Sequence, residues 1–220
     1  MDPFLLTEEK ALVFHRALLS VARQHGNLLT RARAELDGLR TSRPAQDTLW
    51  DRWAALLDMS PDDMAPTVLA ATPDGGLLRA HSPFGVSLST QERNAIWQRI
   101  GLVQFVGFYY NATTDLALEL AEQAILTGIE EAVLADWSTL PPLELHPDEL
   151  NKLKQVVSLH NALKNLSEDG DIRRRWLRVD SETLGGTPIS LMLAGDVERV
   201  MDHLVGAAQL TLGPDNYPRM

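Results

Sequence analysis

The chain predicts an all-α, multi-helical protein, and three observations carry that expectation. Apolar residues recur at helical spacing in one segment after another. Those segments open on capping residues and close on Gly or Pro. No stretch reads as a strand with a second strand to pair with.

Taken in order, Thr7 with Glu8 and Glu9 caps a first helix carrying Leu12, Val13, His15, Arg16, Leu18 and Leu19. A break at His25, Gly26 and Asn27 precedes a charged helix to about Leu39, and Thr41 to Pro44 reads as a linker. Residues 49–57 place Trp50, Trp53, Leu56 and Leu57 on one face, which should anchor a core. Ser60 caps the next helix with Pro61 at its first position. Thr72-Pro73-Asp74-Gly75-Gly76 has the chemistry of a turn, as does Ser82-Pro83-Phe84-Gly85.

Ser89 and Glu92 form a capping box that opens a helix through Trp97. The aromatic and apolar run at 100–112 suits a buried helix or a strand, and its helical flanks favour a helix. Helices over 113–126, 130–137, 147–166, 171–177, 189–193 and 196–208 complete the set, with Pro141 and Pro142 breaking the chain between the second and third. The closing TLGPDNYPRM reads as an exposed tail.

Composition places the chain among ordinary soluble globular proteins, with 45% hydrophobic and 23% charged residues. It has no Cys, which removes disulfides and thiolate metal sites. The start lacks a basic signal-peptide region and no apolar run reaches membrane-spanning length, so a cytoplasmic location away from membranes is expected. The net charge of −10 is unevenly distributed, because residues 100–151 hold nine acids and no Lys or Arg.

Residues 120–137 fit helix-turn-helix spacing. Ala124 takes the small crossing position and Gly128 the turn, with Ile129, Leu134 and Trp137 in the core positions that follow. Gln123 and Thr127 depart from the usual apolar pattern. The residues aimed outward would be Glu130, Glu131, Ala132, Ala135 and Asp136, a face that repels phosphate, so DNA binding is possible but disfavoured. Arg173, Arg174, Arg175 and Arg178 spread around a helix near Glu168, Asp169, Asp171 and Asp180, and read as a solvated, ion-paired face.

The last third carries the most specific pattern. A Trp-capped basic run (RRRWLR) leads through a loop into Leu184-Gly185-Gly186-Thr187-Pro188, a short apolar helix, Gly195 and a closing helix. Trp176 and Leu177 should be buried as the anchor of a small core, Gly185 and Gly186 permit a tight reversal, and Gly195 ends the short helix. Upstream, Leu153, Val156, Val157, Leu159, His160, Leu163 and Leu166 form the apolar face of a long helix. On physics alone the Gly-Gly loop is an ordinary interhelical connection, and Leu191 to Leu193 is core.

This order, with the helix-turn-helix spacing before it, resembles the toxin-binding C-terminal domain of the bacterial MbcA/ParS/Xre antitoxin family, over about residues 144–206. The resemblance implies a non-catalytic protein that binds and inhibits a RES-type, NAD-degrading toxin, and a homodimer. It also implies that the partner-binding positions are Thr187, Pro188, Ser190, Arg199, His203 and the tail through Tyr217. The expected organisation is an N-terminal helical module (1–110), an acidic helix-turn-helix-like segment (111–143) and the antitoxin-like domain with its tail (144–220).

No local enzymatic pattern competes with this. The six histidines form no close ligand pair, Ser82 and Ser190 lack a nucleophile elbow, and no cofactor or metal motif is present. Two other functions stay open at this stage. One is a DNA-binding repressor or autoregulator. The other is an enzyme or regulatory protein with its site in the N-terminal half.

Overall fold

The computed structural model describes residues 8–85 and 88–212, and within them the protein is all-α, built from twelve helices. Two compact units divide between Leu102 and Val103, so residues 111–143 belong to the same unit as the C-terminal helices.

The first unit comprises α1 (Glu8–Gln24), α2 (Asn27–Ser42), α3 (Asp47–Leu57), α4 (Pro61–Val68), α5 (Pro73–Ala80) and the start of α6 (Thr90–Asp115). α1 packs on α4 and α5, and α2 packs on α3. The expected indole face of α3 is the centre of this core. Trp50 and Trp53 are fully buried, and each indole nitrogen still donates a hydrogen bond, to Arg43 O at 3.0 Å and Leu78 O at 3.2 Å. Phe84, in the turn after α5, meets Trp53 edge-on at 5.9 Å.

Arg79, Glu92 and Arg99 are charged groups buried with this core. Arg79 donates to Val68 O, Ala70 O and Glu8, so its charge is compensated by three oxygens. Glu92 accepts from Arg31 and from the Ser89 backbone at 2.8 Å, while Ser89 Oγ accepts from Glu92 N, which is the expected capping box with an arginine added. Thr7 lies outside the described residues.

Two connections differ from the sequence reading, and a third segment follows it. Residues 72–76 open α5 instead of forming a free turn: Thr72 Oγ1 accepts from Gly75 N at 3.2 Å, and Pro73 takes the first helical position. Thr41 and Ser42 stay within α2, and only a short 3-10 turn at Pro44–Gln46 separates it from α3. The 100–112 run is helical, within one 26-residue helix, α6.

The second unit holds the rest of α6, α7 (Leu120–Thr127), α8 (Glu131–Asp136), α9 (Pro147–Leu166), α10 (Gly170–Arg178), α11 (Pro188–Leu193) and α12 (Val197–Leu212). The helix expected over 113–126 is interrupted. Ala117 adopts φ 49° and Leu118 N donates back to Thr113 O at 2.9 Å, which ends α6. Glu119 and Glu122 then cap α7 reciprocally.

α9 lays Leu153, Val156, Leu159 and Leu163 into the core, against α7 and α12. Gly128 and Gly195 take φ 77° and 93°, the left-handed conformation their helix ends require. The expected anchor is corrected: Leu177 is fully buried, whereas Trp176 is only half-buried. The inward positions of α10 are Arg173 and Leu177, four apart, so Trp176 falls to the edge and stacks on His203 at 6.5 Å. α12 continues to Leu212, so Thr211 and Leu212 are helical and not tail.

Candidate partner-binding surface

The Gly-Gly loop is built by short-range hydrogen bonds. Ser181 receives N–H groups from Leu184, Gly185 and Gly186 and donates its own N–H to Gly186 O at 3.1 Å, while Gly185 sits at φ 71°. Thr187 then caps α11, accepting from Ser190 N at 3.2 Å.

The six expected partner-binding residues separate by environment. Ser190 and Arg199 are exposed, Thr187 and His203 are half-buried, and Tyr217 lies outside the described residues. Pro188 is buried with Ile189 and Met192, so it supports the core instead of presenting a surface. Arg199 donates to Leu184 O at 2.8 Å and lies 3.6 Å from Asp196, so it holds the loop to α12. His203 lies flat against Trp176 at an interplanar angle of 22°. Arg199, His203 and Trp176 therefore belong to one shoulder formed by α10, the loop and α12.

The basic run is ion-paired, with Arg175 and Arg178 exposed, but Arg173 departs from a solvated face. Arg173 is buried and pairs with Asp115, the last residue of α6; His160 Nε2 lies 2.9 Å from the same carboxylate. The Arg173 hydrogen bond holds the Asp115 carboxyl below its ordinary range against the opposing effect of burial, with His160 adding to it. Arg174 bonds Asp115 O at 3.0 Å and Asp171 at 2.5 Å. Arg178 forks onto Glu122 at 2.8 and 2.9 Å and lowers that carboxyl too. Two of the three carboxylates used lie far upstream in sequence, beyond the reach of local spacing.

The α7–α8 pair keeps its expected core, with Ile129, Leu134 and Trp137 buried and Ala124 half-buried. The two departures from the apolar pattern are satisfied locally. Thr127 Oγ1 donates to Gln123 O at 2.8 Å, and Gln123 Nε2 donates to Leu118 O at 2.8 Å. Glu130, Glu131, Ala132, Ala135 and Asp136 are all exposed, so α8 presents acids outward.

Beside this pair lies an open groove of about 340 Å³ that spacing alone did not single out. Val103, Val106, Gly107, Tyr110 and Asn111 of α6 form one side, and Trp137, Ser138 and Pro141 the other. Behind it the buried Tyr109 ring meets Trp137 at 6.2 Å and donates its hydroxyl to Gln123 Oε1 at 3.3 Å. Tyr110, one position on, turns outward and is 55% exposed. The signal in the sequence was the aromatic run at 105–110, whose alternate faces have different uses.

Among the described residues, no three His, Asp or Glu side chains form a group able to hold a metal ion, and no helix is long and apolar enough to cross a membrane. No protein-family model, curated protein or solved structure matches the chain.

Proposed function

We propose that the protein is a non-catalytic binding protein of the MbcA/ParS/Xre antitoxin kind, which captures and inhibits a RES-type toxin and works in the cytoplasm as a homodimer. One observation carries the reading. Of the thirteen large apolar side chains exposed among the described residues, ten lie in the second unit: Phe108, Tyr110, Leu120, Ile125, Val133, Leu140, Leu166, Ile172, Val179 and Val205. More exposed apolar surface on one unit than on the other favours that unit as the side that meets a partner. The acids on α8 count against a phosphate backbone as the ligand.

The test is co-purification of a tagged RES-type toxin with the full chain, together with NAD levels in cells expressing both. Capture with preserved NAD is the expected result, and Arg199→Glu with His203→Ala should weaken it. NAD consumption unchanged by the chain would overturn the antitoxin reading. Light scattering on the purified protein checks the homodimer, and a monomer mass at micromolar concentration would remove it.

A further inference from the structure

We infer that the groove between α6 and the segment after α8 receives an Arg or Lys side chain carried on an apolar segment of a foreign partner protein. This rests on the partner-binding reading and adds to it a second contact, away from the Arg199–His203 shoulder, and the chemistry that the partner must present there.

The shape comes first. The groove is open along its length, and an added Cβ at Gly107 would meet nothing within 4 Å, so α6 leaves that side unfilled. An opening of this kind suits a side chain lying along a surface better than a small molecule, whose sites enclose most of the ligand. Two aromatic residues line it, the exposed Tyr110 and the largely buried Trp137, with Pro141 beside them. Aromatic faces attract guanidinium and ammonium groups, and they pack equally well against the aliphatic stems that carry those charges.

The electrostatics select the same occupant. All eight lining residues fall within 100–151, where the chain has nine acids and no Lys or Arg. Asp136, exposed, directly precedes Trp137. Asp136 favours an incoming cation, and the net charge of −10 speeds its approach at low salt. Leu140, 60% exposed beside Pro141, supplies the apolar neighbour for the segment that carries the charge.

A second copy of the chain is a poor occupant for this groove. It would bring a net charge of −10, and the residues that line its own groove include no cation. A basic segment of a different protein, free of that repulsion, is the better match.

The test uses the full chain and a fluorescein-labelled synthetic helix of Leu and Arg at helical spacing, read by fluorescence anisotropy. A second peptide replaces every Arg by Gln. The Arg peptide should bind about twofold to fivefold more tightly, a ratio that one cation–aromatic contact at an exposed site can supply, and added salt should reduce the ratio. Tyr110→Ala should abolish the preference, and so should Gly107→Gln, which fills the groove from the same helix. Ile125→Ser, exposed on α7 outside the groove, should leave it intact.

Equal affinity for the two peptides, or a preference unchanged by Tyr110→Ala and Gly107→Gln, would overturn the proposal. Circular dichroism confirms that each variant is folded, and Tyr110 is exposed enough to be replaced without emptying the core. The two readings fail separately. Peptide preference through Tyr110 with no toxin capture sinks the antitoxin assignment alone. Toxin capture with no Arg preference sinks the groove alone.

Discussion

Arg173 grips Asp115 with two parallel hydrogen bonds, Nε to Oδ2 and Nη2 to Oδ1, each 2.8 Å long. This fork joins the end of α6 to α10 across 58 residues of sequence, and His160 brings α9 to the same carboxylate. The remaining Arg173 nitrogen, Nη1, donates to Ser167 O at 2.7 Å, in the turn that follows α9. Three helices of the second unit thus converge on one charged group. Such a pair contributes little over an apolar replacement, yet each half is costly to strand without the other.

That asymmetry gives the first prediction. Asp115→Asn and Arg173→Met should each lower the urea midpoint of the second unit, because each leaves a buried charge or an unmatched polar group. The double variant Asp115→Leu with Arg173→Met should lose less than the sum of the two single changes. Arg173→Lys should recover only part of the loss, since an ammonium cannot make the fork. Additive losses in the double-mutant cycle would show that the fork is not the coupling between these helices.

Acid should weaken the first unit in two stages. Burial lowers the His15 imidazole from 6.5 to about 4, only partly offset by its hydrogen bond to Ala11 O. Because the folded state holds His15 neutral, the unfolded chain binds the extra proton, and stability falls as pH drops from 6.5 towards 4. That interval corresponds to about 3 kcal/mol at most. Burial alone would raise Glu92, but the hydrogen bonds from Arg31 and Ser89 outweigh it and bring the carboxyl from 4.5 to about 2. Its contribution is therefore complete above 4.5 and lost as pH falls towards 2. His15→Leu should flatten the upper stage of an equilibrium unfolding series against pH and leave the lower one. An unchanged slope between 6.5 and 4 in that variant would show that another group titrates there.

What could be read from the sequence was whatever local chemistry decides. Ser60, Ser89, Thr187 and the Pro residues after caps placed helix starts correctly, because a cap needs only its next three residues. The indole face of α3 was readable for the same reason. Reading failed where the deciding partner is distant. The partners of Arg173 and Arg178 lie 58 and 56 residues away, so neighbouring acids pointed to the wrong partners and hid the burial of Arg173. Thr72 to Gly76 carries turn chemistry and helix-start chemistry at once, and Leu78 and Arg79, both buried further along, tip it to helix. The groove depends on Pro141 and Trp137 meeting α6 from outside it, which no periodicity within α6 reveals.

The two tryptophans most visible in the sequence should therefore differ in cost. Trp53 is fully buried and satisfies its indole N–H, so Trp53→Ala should lose about 3–5 kcal/mol. Trp176 is half-buried and leans on His203, so Trp176→Ala should cost clearly less, while Leu177→Ala, emptying the true anchor, should cost about 2–5 kcal/mol. Chemical denaturation of the three variants orders them directly. Trp176→Ala proving as damaging as Trp53→Ala would mean that the Trp176–His203 stack seals the core beneath it.

Two glycines offer the last comparison, because they are required for different reasons. Gly128 sits at φ 77° with only the end of the Lys152 side chain near its missing Cβ, so Gly128→Ala meets backbone strain of about 1–2 kcal/mol and little else. Gly75 has no positive φ, but its Cβ would stand 2.3 Å from Ala70 O, a backbone atom that cannot swing aside. Moving that carbonyl disturbs Arg79, which donates to it at 3.0 Å and is itself fully buried. Gly75→Ala should therefore lose the overpacking cost of about 1–3 kcal/mol and loosen the charge held beneath it, making it the worse of the two. Thermal melts should rank Gly75→Ala below Gly128→Ala; the reverse order would mean that α5 can slide away from Ala70 without releasing Arg79.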